Sequence, residues 1–236
     1  MRKYCSLALF IVLTAVPAAG LEVDIDELRK AGKIEFINYA GPQRNRDSVA
    51  AVKSIGTGLA AAAEKRGENA RVNYYMKYSL IRAISKDEPE KLSADIVSID
   101  REARVTHIQY IRRILSGYFE RMYGYSEKNA YTLAVFTTYY NAVYRGDMGY
   151  FGGAYKKVVI GNLSAANAGL ATRYDQWPGA TRIVIPLTEE AKRGAIDSID
   201  PDIISDNKVR TAVRKEDENL EQRKDLVDLK EKNIEK

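Results

Sequence analysis

The fold turns on YYMKYSLIRAIS, residues 74–85. Tyr74, Tyr78 and Ile81 recur at helical spacing, whereas Val72, Tyr74 and Met76 alternate as in a strand. Read as a helix from about Tyr75, the stretch leaves three strands in the chain. Lys33 to Tyr39 (KIEFINY) is rich in β-branched and aromatic residues and stops at the Gly41-Pro42 turn. Ala94 to Ile99 (ADIVSI) is a buried strand after the charged turn Lys86–Lys91, and Thr181 to Ile185 is a third, closed by Pro186.

Helices fill the intervals. Asp24 to Gly32 opens with the Asp24…Glu27 spacing of a capping box. Asp47 or Ser48 caps a helix to about Lys65, with Val52, Ile55, Leu59 and Ala62 as its apolar stripe and Gly67 as its stop. Val105, Ile108, Ile111, Leu115, Tyr118 and Met122 mark one face of a long helix ending near Gly124. Ser126 starts another that runs to Tyr144 and is apolar nearly all round, as buried helices are. Shorter helices are expected near 148–158 and 164–174, before the loop Gln176-Trp177-Pro178-Gly179. Strands separated by long helical connections favour parallel pairing. The expected fold is therefore α/β and helix-dominated, with a small parallel three-stranded sheet covered by about seven helices.

The two ends differ from this middle. Arg2 and Lys3 precede the apolar run Leu7–Val16, and Pro17, Ala18, Ala19 and Gly20 follow. That pattern is a signal peptide, residues 1–20, cut after Gly20. Its apolar run is too short to span a bilayer, which takes roughly 20 residues. No later stretch is apolar enough either, so the mature chain is expected to have no transmembrane span. Cys5, the only cysteine, goes with the leader, leaving no disulfide, thiolate or cysteine metal site. Residues 21–206 form the expected globular domain. From Asn207 to Lys236 charge dominates. Val213, Leu220, Val227 and Ile234 recur every seven residues, while the companion positions Glu216, Arg223 and Lys230 are charged. This is half a coiled-coil seam, read as a charged helical tail that is either solvated and held by close charge pairs or able to pair with a partner helix.

The composition excludes several classes. Apolar residues make 45% of the 236 and charged residues 29%, which is ordinary for a globular chain and wrong for a disordered one. The net charge of +5 falls to near +3 without Arg2 and Lys3, and its cations are interleaved with acids, so nucleic acid is not an expected partner. Gly56-Thr57-Gly58-Leu59-Ala60-Ala61 fits the letters of a dinucleotide fingerprint, but no strand precedes it. Its glycines read as close helix packing. His107, the only histidine, falls mid-helix with no nucleophile motif near it. Asp197, Asp200, Asp202 and Asp206 lack the Gly and closing Glu of a calcium loop and read as turn and cap residues. No metal site, cofactor or catalytic residue is predicted.

What remains are candidate binding residues. Ten of the sixteen tyrosines lie between 110 and 155. Tyr139, Tyr140 and Tyr144 suit a core lining or a peptide- or glycan-binding face, since tyrosine joins an apolar ring to a polar end. Arg145-Gly146-Asp147 is the tripeptide that integrins recognise, and it also sits where one helix ends and Asp147 can cap the next.

IEFINYAGP (34–42), IRRILSGY (111–118), YNAVYRGD (140–147), NAGLATRYDQWPG (167–179) and TRIVIPL (181–187) follow Val23-Asp24 in a fixed order. In this order the chain resembles the N-terminal region of the 83/100 kDa antigen family of Borrelia and other spirochetes, over residues 22–190. The resemblance implies an exported protein of the periplasm or cell envelope, an antigen without catalytic residues, whose relatives continue into a long charged helical region. The expected function is a non-catalytic envelope protein that acts through interactions with envelope or host proteins. The alternatives are a surface adhesin or glycan- or peptide-binding module, and a hydrolase of envelope polymers. The hydrolase lacks a His/Cys/Asp constellation; its nearest paired acids, Glu120 and Glu127, end one helix and start the next.

Overall fold

Residues 74–85 are not a helix. In the computed structural model Arg71–Tyr74 (β1) and Tyr78–Ala83 (β2) form a hairpin, joined through Tyr75, Met76 and Lys77. Ser93–Ile99 (β3) pairs with β2, and Thr181–Leu187 (β4) with β3. The sheet has the order β1-β2-β3-β4 and every neighbouring pair is antiparallel, which overturns the expected parallel three-stranded sheet. Two features of the chain account for the difference. The hairpin turn carries none of the Gly or Asn that normally mark one, and the long helical excursion from β3 to β4 returns to its neighbour in the opposite sense. The expected first strand does not form among the described residues: Ile34–Ala40 carries one isolated bridge there, Ile37 with Arg173.

The structure describes residues 34–41, 48–67, 69–188, 198–199 and 201–213. The chain divides into two units, Met1–Ala31 and Gly32–Lys236, and all described residues lie in the second. The signal peptide, the Asp24–Gly32 helix, Asp197, Asp200 and the tail beyond Val213 fall outside them.

Seven α-helices occur among the described residues: Val49–Glu64 (α1), Ile108–Tyr123 (α2), Glu127–Val143 (α3), Met148–Ala154 (α4), Lys157–Ile160 (α5), Pro201–Ile204 (α6) and Asn207–Ala212 (α7). Their ends follow local chemistry. Ser48 and Ser126 accept backbone N–H groups at the starts of α1 and α3. Gly124 takes the left-handed conformation, φ 76°, that ends α2. The helix expected over 164–174 is instead turns and isolated bridges, followed by a 3-10 turn at Tyr174–Gln176.

The core lies between the sheet and α2. Strand alternation puts Tyr78, Val97, Ile99 and Ile183 on one face, where they meet Ile111, Ile114 and Leu115 of α2. α1 crosses α2 with no side chain between the backbones. A Cβ on Gly56 would lie 1.8 Å from the Ile114 carbonyl oxygen, and one on Gly117 2.2 Å from that of Lys53. Of the two glycines in the fingerprint-like motif, Gly56 thus serves helix packing, while Gly58 faces the Tyr74 ring of β1. All seven residues of β3 are buried, because α5 and the residues around it cover the other face.

β4 is an edge strand, and its outer side is occupied. The Asn141 side chain from α3 accepts the Val184 N–H at 2.7 Å and donates to the Val184 carbonyl at 2.9 Å, as a neighbouring strand would. Arg182 exchanges backbone bonds with Asn167 and Gly169. Pro186 falls on this outer side, where no ladder N–H is required, so the strand runs through it to Leu187 rather than closing before it.

Packing continues past Asp206, the expected domain boundary. Val209 and Ala212 are fully buried, α7 lies on α3, and the Ile34 N–H donates to the Ala212 carbonyl. A chain ended at Asp206 should lose about 2–4 kcal/mol, chiefly the burial of these two side chains, and melt roughly 6–12 °C lower than one ended at Val213. Calorimetry of the two truncations checks this, and equal melting temperatures would contradict it.

Candidate functional site

The most polar part of the core is a cluster on the helix-facing side of the sheet. Arg82 on β2 stands opposite Asp95 on β3. Its Nε donates to Asp95 Oδ1 at 3.0 Å, and the pair is almost wholly buried. From α2, the hydroxyls of Tyr118 and Tyr123 both donate to Asp95 Oδ2. Burial, and after it the Asp95 charge, pushes both phenols well above their ordinary range. Burial also opposes the Arg82 charge, but Asp95 and the two phenols outweigh it and raise that group too. Both oxygens of Asp95 are thus engaged by internal donors. The cluster ties sheet to helix. Arg82 Nη2 is buried without a hydrogen-bond partner.

The expected binding tyrosines point inward. Tyr139, Tyr140 and Tyr144 on α3 are all buried. The Tyr139 ring meets Phe36 edge-on and lies 5.4 Å from the Arg112 guanidinium. The Tyr140 hydroxyl bonds those of Tyr155 and Tyr150. Tyr144 stacks on Tyr150, ring centroids 3.5 Å apart and planes 8° from parallel, and donates to Asp206 ahead of α7. Burial first, then Asp206, raises the Tyr144 hydroxyl far above its usual range. Tyr150, half-buried, is the member of this group with an exposed part.

Arg145, Gly146 and Asp147 adjoin this group but are committed to the backbone. Arg145 donates to the carbonyls of Ala168 at 2.9 Å and Ala166 at 2.6 Å. Gly146 has φ 76°, and Asp147 caps α4 by accepting the Tyr150 N–H at 2.8 Å. Gly146→Val should cost about 1–3 kcal/mol, since a Cβ there is strained by φ and would lie 3.0 Å from the Ala165 carbonyl oxygen. Asp147→Ala should cost about 1 kcal/mol as a lost cap. Urea denaturation of both variants measures this; a Gly146→Val variant as stable as the parent would contradict the assignment.

His107 is not mid-helix, as its spacing suggested. It is the N-cap of α2, its Nδ1 accepting the Gln109 N–H at 3.1 Å. Burial, then Arg112 and Arg113, lowers its pKa, which keeps that nitrogen available as an acceptor. Glu120 and Glu127 converge on Lys53 at 2.8 and 3.0 Å, so the two acids are joined through a lysine of α1. Among the described residues no group of three His, Cys, Asp or Glu side chains could hold a metal ion, and no helix is long and apolar enough to cross a membrane.

Sequence reading missed Arg82 and Asp95. The signal available was the acid inside the otherwise apolar ADIVSI, since a buried carboxylate needs a partner. It also missed the exposed Tyr75 and Met76.

These stretches lie within the span covered by a family model. No curated protein sequence and no solved structure matches the chain. The model described as Borrelia P83/100 protein matches residues 24–236, nearly the whole length. The chain therefore belongs to the Borrelia P83/100 protein family.

Proposed function

We propose that this member of a spirochete antigen family is an exported, non-catalytic protein of the periplasm or cell envelope that acts by binding other proteins. The observation that carries the reading is how the buried charged groups are used. Asp95 is engaged at both oxygens by Arg82, Tyr118 and Tyr123. Arg112 lies over the Phe36 and Tyr139 rings and bonds Thr138, and Lys156 donates to the Ser85 carbonyl. These groups hold elements together instead of converging on an open cleft. Export is supported by Arg2-Lys3, the Leu7–Val16 run and the small residues before Leu21.

Fractionation and cross-linking in the source cell test the reading. The chain should be recovered with the envelope, with an N-terminus between Ala19 and Glu22, and cross-linked on intact cells to other envelope proteins. Recovery from the cytoplasm with Met1 in place would refute export. Turnover of an envelope polymer by the purified chain would refute the non-catalytic role.

A further inference from the structure

We propose that the β1–β2 hairpin tip, Tyr75-Met76-Lys77, docks the protein on an anionic lipid surface. The Lys77 N–H bonds the Tyr74 carbonyl at 3.1 Å, closing a turn whose central residues, Tyr75 and Met76, have φ 52° and 55°. That is the pattern of a type I′ turn, which Asn-Gly occupies without strain. Two large side chains occupy it here. They are also the most exposed large apolar residues among those described, at 77% and 72%. A strained backbone that places apolar side chains in water points to a role outside the fold.

The tip is braced to stay out. The Met76 N–H donates to Asn73 Oδ1 at 2.8 Å, and the Asp100 N–H to the Lys77 carbonyl at 2.9 Å. The Tyr74 ring holds Tyr75 edge-on, centroids 4.6 Å apart. It is backed in turn by Gly58 of α1, where a Cβ would lie 2.4 Å from the Tyr74 ring. Tyr75 therefore cannot fold back onto the helix.

Charge and shape select the partner. At the tip Lys77 is exposed and is the one charged residue between Arg71 and Arg82. The loop that braces Lys77 adds exposed Arg101 and Arg104 against one exposed acid, Glu102. The tip is convex and offers two large side chains, about 300–400 Å² of surface, whereas stable protein interfaces bury roughly 1,200 Å² or more. A bilayer needs no matching pocket. It takes a tyrosine ring at headgroup depth with an apolar neighbour below, and its anionic headgroups attract the flanking cations.

Tyr75→Trp in the full chain gives a local probe, because Trp177 is fully buried. On vesicles of phosphatidylcholine with about one-third phosphatidylglycerol and brominated acyl chains, its emission should shift to the blue and be quenched. The apparent affinity should fall at least ~10-fold on phosphatidylcholine alone or in about 1 M salt. Adding Met76→Gly and Lys77→Glu should abolish the quenching. Separately, Tyr75→Asn with Met76→Gly should melt about 5 °C higher than the parent, since it relieves two left-handed residues. Emission unmoved by anionic vesicles overturns the inference, and so does a melting temperature that does not rise. Emission moved by an added protein but not by lipid also overturns it, in favour of a protein partner. In each case the envelope reading stands, because its own tests are the processed N-terminus and the cross-links.

Discussion

Asp95→Ala should cost about 3–5 kcal/mol. It leaves Arg82 charged and buried with no counter-ion, and takes the acceptor from Tyr118 and Tyr123 together. The loss comes from the stranded groups and not from the pair being strongly stabilising. Replacing the whole cluster by apolar groups, with Arg82→Met, Asp95→Leu, Tyr118→Phe and Tyr123→Phe, should therefore recover most of it. Equilibrium unfolding in urea separates the two cases. A loss below about 1 kcal/mol for Asp95→Ala would mean that the carboxylate is not buried against the guanidinium.

Gly56→Ala should be nearly as damaging, at about 3 kcal/mol or more, for a different reason. The added methyl would lie 1.8 Å from the Ile114 oxygen and 2.7 Å from the Tyr118 nitrogen, and both are backbone atoms that cannot rotate away. Overpacking of a well-packed core that can shift its side chains typically costs about 1–3 kcal/mol. Here α1 must separate from α2 along the crossing, and Gly117 opposes Lys53 in the same way. Gly152→Ala in α4 is the matched control. A Cβ there meets nothing within 4 Å, so the change should be neutral or stabilising by up to about 1 kcal/mol. Equal effects at the two positions would show that the helices are further apart than described.

Much of this architecture was legible because local chemistry and tertiary packing agree. Ser48, Ser126 and Gly124 mark helix ends in the sequence and do so in the structure. ADIVSI reads as a buried strand and is the central β3. The hairpin was illegible because its turn uses Tyr75 and Met76 where the usual signal is Asn-Gly, and because Tyr74, Tyr78 and Ile81 mimic a helical stripe. The antiparallel sheet was hidden by the long helical connection from β3 to β4, expected to return parallel, and by that one misreading. The misreading also hid the core cluster, since Arg82 reaches Asp95 only across the β2–β3 ladder. His107 was misplaced because the apolar periodicity extends to Val105, upstream of the cap itself. Arg145-Gly146-Asp147 was read from spacing alone as a helix end followed by a cap, which is the geometry found, but no periodicity could disclose that Arg145 is spent on two carbonyls.

The amide of Asn141 on the rim of β4 bears on how copies of the chain can meet. An open strand edge is a template for any extended peptide, including another copy, and zipping along it leads to aggregation. Here the Val184 N–H and carbonyl are already answered, Arg182 is bonded to Asn167 and Gly169, and Pro186 has no proton to offer. The opposite rim, β1, is four residues long. Crowded copies therefore cannot polymerise by extending the sheet through β4. Any contact made on that side must be read from side chains, one partner at a time.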